Sequence, residues 1–314
     1  MRHAMDTASA RYRIIHETTY RYETPVSISR QHLHLTPRDC AWQSCLEHAI
    51  EIDPIPSMDD SRLDCFGNPV RQFAIESPHD SLRVCANSLI EVRTHLPVLP
   101  FDKSPAWERV RDALVFGALP IHLDANVFLF ESPYVRVKRE FAAYAAPCFP
   151  PGRPLLSGVR ALMALIFREF KFDPKATTVA TPVLTLLEEK RGVCQDFAHL
   201  MLACLRSLGL AARYVSGYLL TQPPPGKPRM IGADASHAWV SVFCPDARGG
   251  FWVDFDPTNN LLPDIGHITL AWGRDFGDVS PLRGVILGGD THMPDVAVTV
   301  VPCEEETPAL TTAT

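Results

Sequence analysis

The hydrophobic period changes once along the chain, and that change restricts the fold more than any other feature. Between residues 11 and about 95 apolar positions recur every second residue. Tyr12, Ile14, His16, Thr18, Tyr20 and Tyr22 alternate with Arg13, Glu17 and Arg21; Leu46, His48, Ile50 and Ile52 alternate with Glu47 and Glu51; Leu82, Val84, Ala86, Ser88, Ile90 and Val92 alternate with Arg83, Asn87, Glu91 and Arg93. A period of two puts one face of a strand in a core. Turn signals at Glu23-Thr24-Pro25, Thr36-Pro37-Arg38-Asp39, Phe66-Gly67-Asn68-Pro69 and Ser77-Pro78 separate the runs. Repeated strands with turns predict an antiparallel β-sandwich over residues 1–96. After Pro154 the period becomes helical: Leu155, Val159, Leu162, Met163, Ile166, Phe167 and Phe170 form one amphipathic stripe. The class is therefore α+β.

Between these regions, residues 97–153 hold eight prolines among short apolar stretches. They read as a connector of short helices, with Tyr134–Ala146 the best helical segment. A second, helix-led core spans 154–302, and the polar end 303–314 reads as a disordered tail. Thr181-Pro182 predicts the start of a second helix that runs to Lys190 and ends at Gly192.

Composition excludes several classes. With 36 acidic against 30 basic residues the net charge is −6, and no long basic run occurs, so nucleic acid is not an expected partner. The longest clean apolar run, Ala161–Phe167, is far short of the ~20 residues of a membrane span. The start MRHAMDTASARYR lacks an apolar signal region, so a cytoplasmic, reducing setting is expected. Nine cysteines cannot all pair, and none forms Cys-x-x-Cys. Most then read as buried thiols, and no cofactor is expected. His32 and His34 could place two imidazoles on one strand face, but no further ligands stand at diagnostic spacing, so no metal is expected.

One cysteine stands apart. Phe197, Leu200, Met201, Cys204, Leu205 and Leu208 define a buried helix face closed by Gly209. Cys194 joins that stripe in the first turn, where unpaired N–H groups and the helix dipole favour a thiolate. Cys204, on the same face deeper in the helix, is the inert counterpart. His199 lies about 140° round the helix from Cys194 and points away.

A better base lies downstream. Ala211–Leu220 reads as a strand, Gln222–Arg229 as a Pro/Gly-rich loop, and His237–Phe243 with Gly250–Asp256 as a hairpin. Pairing Phe243 with Gly250 would set His237 opposite Asp256. Ala238, Val240, Val242, Phe251, Val253 and Phe255 share the core face; His237, Trp239, Ser241, Trp252, Asp254 and Asp256 share the other. Thiol, imidazole and carboxylate supply a nucleophile, a base and an orienting acid. Asp254 is the rival to Asp256, which Pro257 favours by ending the strand.

The blocks GVCQDFAHLMLACLRSLGLAARYVSGYLL, GADASHAWVSVF and WVDFDPTNN resemble the Cys, His and Asp blocks of the bacterial transglutaminase-like superfamily. DCFGNPV, SPHDSLRV and GRDFGDVSPLRG resemble the flanking parts of one bacterial branch. The resemblance implies a papain-like core with Cys194, His237 and Asp256 as a triad, acting on a peptide or protein. It also implies ATP-grasp-type and helical proteins as partners. One departure is Asp254, where the family usually has a small residue. The expected chemistry is thiol-dependent acyl transfer on an amide, with hydrolysis ahead of amine transfer. The Cys194 N–H is the natural oxyanion donor, with Gln195, Trp239 or Tyr218 as the second. The alternative is a non-catalytic peptide-binding module that keeps the cleft.

Overall fold

The computed structural model describes residues 8–97, 99–115, 123–179, 181–221, 236–290 and 293–303. The N-terminal part holds β1 (Ser9–Leu33), β2 (Gln43–Asp53), β3 (Met58–Leu63), β4 (Pro69–Ile75) and β5 (His79–Arg93). Helices α1 (Trp107–Ala113), α2 (Leu123–Asn126) and α3 (Arg139–Ala145) follow in the connector. Next come α4 (Leu155–Glu169), the short strand β6 (Lys171–Phe172), α5 (Val183–Glu189), β7 (Arg191–Gly192) and α6 (Cys194–Ser207). The chain continues through β8 (Ala212–Leu219), β9 (Ser236–Cys244), β10 (Phe251–Phe255), β11 (His267–Gly273) and α7 (Phe276–Val279). It ends with β12 (Leu282–Gly288) and β13 (Asp295–Cys303).

The N-terminal domain is an antiparallel sheet folded over itself at β1. The first half of β1 pairs with β5 and β13; the second half pairs with β4 and β12. The register slips between Arg21 and Val26, so the Glu23-Thr24-Pro25 signal bends the strand without ending it. Leu33, Phe73 and Ile75 from one layer meet Leu82, Val84 and Ala86 from the other in one apolar cluster. The alternation in β5 is obeyed at all six inward positions, which are buried. In β2 a bulge between Cys45 and Glu47 breaks it and leaves Leu46 45% exposed.

The last two strands differ from the sequence-based division at 302. β12 and β13 complete the N-terminal sheet, and Cys303 pairs with Arg11 at the end of β13. Without them β1 would present an open edge along its length. Such a return across the whole chain leaves no local signal in the sequence. The rest of the expected tail, 304–314, and the expected loop Gln222–Arg229 lie outside the described residues.

In the connector α3 begins only at Arg139, because the Tyr134 amide is drawn to Asp275 Oδ2 at 2.8 Å. Helix α4 follows its predicted stripe, except that Phe167 is 50% exposed. α5 starts after Pro182, and Lys190 ends it in the left-handed conformation (φ 56°).

The second domain centres on α6. Its apolar face lies on a four-stranded antiparallel sheet of order β10-β9-β8-β11, and the surrounding helices close the cluster. Gly209, at φ 75°, ends the helix as expected. The N-terminal domain packs on the sheet: Tyr12, Ile14, Ile90, Val92, Val298 and Val300 meet Tyr218, Ile268 and Leu270. Two amides from that domain satisfy the edge strand β11. Gln43 exchanges hydrogen bonds with Thr269 (2.7 and 2.8 Å), and Asn68 with Trp272 (2.8 and 3.0 Å). Among the described residues no helix is long and apolar enough to cross a membrane.

Candidate active site

The start of α6 is held from three directions. β6 and β7 form a short parallel pair, and the Asp173 amide donates to Gly192 O at 2.9 Å. Asp196, in the first turn, accepts from the Val193 amide (2.8 Å) and the Thr177 hydroxyl (2.5 Å). Burial nevertheless pushes the Asp196 carboxyl up from its ordinary range. Gly192 leaves room for this, since a Cβ there would stand 2.7 Å from Asp196 Oδ2. Cys194 is thus the first residue of a helix whose origin is immobilised, and it is half-buried.

His237, near the start of β9, is 8% exposed. Its Nε2 lies 2.8 Å from Asp256 Oδ2, and the Cys194 side chain is near enough to raise its pKa. With Nε2 committed to Asp256, Nδ1 is the nitrogen left for the thiol. Burial acts to lower the His237 pKa. The hydrogen bond to Asp256 and its negative charge, with a contribution from the nearby Cys194, overcome it and hold the value up to about 10.

Asp256 is 0% exposed, yet its carboxylate is well provided with donors. Oδ1 accepts from the amides of Thr258 (2.9 Å) and Asn259 (3.2 Å) in a turn closed by the Asp256–Leu261 bridge. Oδ2 accepts from Asn259 Nδ2 at 2.7 Å, and His267 Nε2 lies 3.2 Å away. Burial alone would raise its pKa; the hydrogen bonds from His237, His267 and Asn259 hold it well below the usual carboxylate range.

The structure therefore brings Cys194, His237 and Asp256 together, but not in the expected register. Phe251 pairs with Cys244 and Trp252 with Phe243, a shift of two residues from Phe243–Gly250. Gly249 and Gly250 both have positive φ, 123° and 132°, so Gly250 belongs to the turn and not to the ladder. A shift of two preserves the faces, so Asp256 reaches His237 diagonally. The polar face is not solvated: Trp239, Ser241, Asp254 and Asp256 are all buried.

Other expectations are sorted by the same contacts. Asp254 accepts from Trp239 Nε1 at 3.0 Å, and among the described residues Asp256, not Asp254, is the aspartate hydrogen-bonded to His237. The Asp254 bond also occupies the Trp239 indole. The Tyr218 hydroxyl is engaged by His16 Nδ1 at 2.9 Å in the domain interface. Of the three side chains expected as second oxyanion donors, Gln195 beside Cys194 is the one not committed elsewhere among the described residues. His199 does point away: it is stacked on Tyr134, its Nε2 accepts from the Phe276 amide, and burial pushes it down to about 3. Cys204 is fully buried, and burial pushes its thiol up. His32 and His34 do sit side by side, ring centroids 5.0 Å apart, but bond to Gln72 and to Asp64 and Ser280.

Sequence reading missed His267 and Asn259. Asn259 carried a signal, since Asp-Pro-Thr-Asn reads as a turn that folds back on its own carboxylate. His267 carried none, because it arrives from a different strand. His237 Nε2, Asp256 Oδ2 and His267 Nε2 lie within 4.8 Å of one another and could hold a metal ion. Their separations of 2.8 and 3.2 Å are those of hydrogen bonds.

Residues 12–91 match the family described as bacterial transglutaminase-like N-terminal region, and residues 142–257 match the transglutaminase-like superfamily. The second match contains Cys194, His237 and Asp256. An uncharacterized protein of Mycobacterium tuberculosis is 42% identical over 299 residues, covering 94% of this chain and 93% of the relative. The chain belongs to the transglutaminase-like superfamily. An uncharacterized protein of Mycobacterium leprae is 31% identical, covering 92% of this chain and 98% of its own. A crystal structure of a candidate cysteine protease from Cytophaga hutchinsonii shares the fold (TM-score 0.73, 20% identity, 95% of this chain and 92% of that one). Pseudomonas aeruginosa protein-glutamine gamma-glutamyltransferase is 29% identical over 113 residues, which is 33% of this chain and 16% of that protein.

Proposed function

We propose that this superfamily member catalyses thiol-dependent acyl transfer on peptide or isopeptide amides, with water as the favoured acceptor. The observation that carries the reading is the position of His237, beside Cys194 and hydrogen-bonded at 2.8 Å to the buried Asp256 carboxylate, which other protein donors also meet. In this reading Cys194 gives its thiol proton to His237, and the resulting Sγ thiolate attacks the amide carbonyl. The oxyanion that forms is met by the Cys194 N–H, one of the first-turn amides that no helical carbonyl accepts. The protonated His237 then gives its proton to the departing amine, and a thioester on Cys194 remains. Water, deprotonated by the now neutral His237, attacks the thioester and releases the acid.

Asp256 keeps its charge throughout and holds the imidazole ring, with Asn259 and His267 fixing the carboxylate in turn. Hydrolysis is favoured because water needs no binding site of its own. Both activities are named among the similar proteins, a cysteine protease by fold and a glutamyltransferase by partial sequence. The test compares wild type with Cys194→Ala on a library of peptide and isopeptide amides, with and without added primary amine. Hydrolysis that disappears in the variant is the expected result; equal rates in the two proteins would remove the proposal. Product that appears only when amine is present would reassign the acceptor.

A further inference from the structure

A second polar site lies on the same sheet, away from Cys194. Gly217 pairs with His237, and Arg213 stands four residues further back along β8, about 13 Å at 3.3 Å per residue. There a cavity of about 790 Å³ opens between the N-terminal domain, the connector and the sheet. Arg213, Trp252, Trp272, Phe66, Phe128 and Asp124 line it. This size suits a small ligand.

Arg213 is the unusual member. It is 5% exposed, and its guanidinium carbon lies 3.7 Å from the Trp272 ring centroid and 4.2 Å from that of Trp252. Its Nε is sealed from solvent with no hydrogen-bond partner, and among the described residues no carboxylate is in salt-bridge range of it. The other cations nearby have hydrogen-bond partners on their terminal nitrogens, although Arg38 Nε, like that of Arg213, is buried without one among the described residues. Arg274 is held by both oxygens of Asp278 at 2.8 and 2.9 Å, and Arg38 donates to Phe66 O and Asn68 Oδ1. Burial draws the Arg213 pKa down to about 9 against the pull of Asp254, so the group is charged at neutral pH.

The row across the sheet repeats the pattern. Arg213 pairs with Ser241 and Ser241 with Asp254, and among the described residues Ser241 Oγ and Asp254 Oδ1 are also buried without hydrogen-bond partners. Asp254 thus stabilises the guanidinium by its charge at a distance without occupying the donors. A buried cation is retained at large cost unless something pairs with it. Indole faces on the guanidinium and phenyl rings at the cavity wall leave the planar donor fork as the polar feature to be met.

We propose that this cavity binds a small ligand that carries a carboxylate on a flat apolar body, the carboxylate on Arg213 and the body against the wall that Trp252 and Phe128 form together. The proposal stands on the cavity and does not depend on the acyl-transfer reading. The planar fork matches a carboxylate bidentately, and the aromatic walls take the rest. Asp124, exposed at the same cavity, opposes the ligand's charge.

Calorimetric titration of the full chain with benzoate, benzyl alcohol and inorganic phosphate tests this, with tryptophan fluorescence as a second readout. Benzoate is expected to bind saturably and to quench fluorescence, with benzyl alcohol and phosphate each at least about tenfold weaker. Arg213→Met should weaken benzoate about thirtyfold. Asp124→Asn, an exposed substitution that leaves the core untouched, should tighten it about threefold. No saturable binding of benzoate would overturn the proposal, as would phosphate or benzyl alcohol binding as well as benzoate. Wild-type affinity in a folded Arg213→Met protein would do the same. If that variant does not fold, unchanged affinity in Asp124→Asn is the refuting result.

Discussion

Asp256→Asn preserves the shape of the carboxylate and removes its charge, so it isolates what holds His237 protonated. The His237 pKa is held up from 6.5 to about 10, against burial. At about 1.36 kcal/mol per pH unit, that is about 5 kcal/mol in favour of the imidazolium over the neutral ring. Asp256 supplies this through a hydrogen bond and through its charge, with Cys194 supplying the remainder. In the variant burial persists and those contributions of Asp256 vanish, so His237 should titrate near or below 6.5. Imidazole NMR signals followed against pH give the value directly. A His237 that still titrates near 10 in Asp256→Asn would refute the assignment of Asp256 as its partner.

Stability should move in step. A histidine whose folded pKa is raised adds stability that is complete below pH 6.5 and is lost as pH rises through about 10. A carboxylate whose folded pKa is depressed adds stability that is present above its unfolded value of 3.8 and is lost as pH falls through its folded value. The two describe one pair and are counted once. The stability difference between wild type and Asp256→Asn should therefore be largest between about pH 4 and 6.5 and shrink toward pH 10. Denaturant titrations across that range measure it. In turnover, an orienting carboxylate of this kind is worth up to about 10⁴ in kcat.

Four further outcomes follow from named contacts. A thiol-reactive probe should modify Cys194 first and leave Cys204 untouched in the folded protein, and His237→Ala should slow the Cys194 reaction; peptide mapping reads both. His267→Phe removes one donor from Asp256 and should lower kcat by about tenfold while His237 still titrates well above 6.5, separating it from Asp256→Asn. Gly217→Ala should cost at least about 3 kcal/mol in denaturant unfolding, because its Cβ would stand 2.1 Å from Ile268 O and 2.5 Å from the buried Trp239 ring. Arg206→Met should cost about 3–5 kcal/mol by the same measurement, since Arg206 is buried and donates to Ala212 O, Phe130 O and Ser132 Oγ.

Much of the site was legible because its parts are locally encoded. Cys194 is marked by a helical stripe and Gly209, and His237 and Asp256 by a hairpin whose two faces differ in polarity. The register of that hairpin was not legible in the same way. It depended on whether Gly250 joined the ladder or the turn, and positive φ at Gly250 decided for the turn. The face assignment survived because side chains alternate with period two. Asp254 shows where residue type misleads: two aspartates on one face read as rivals until Trp239 takes one of them.

By itself the sequence determined the α+β class, the strand-rich first domain, helices α4 and α6, and the three residues that meet at the start of α6. Each rests on periodicity or on turn chemistry, which act over a few residues. Tertiary structure alone decided that β12 and β13 return to the first sheet and that His267 reaches Asp256. It also decided that the polar hairpin face is buried and that Arg213 Nε lies at a cavity without a hydrogen-bond partner among the described residues. These depend on segments far apart in the chain packing against one another, and the free energy of such packing leaves no periodic trace in either segment alone.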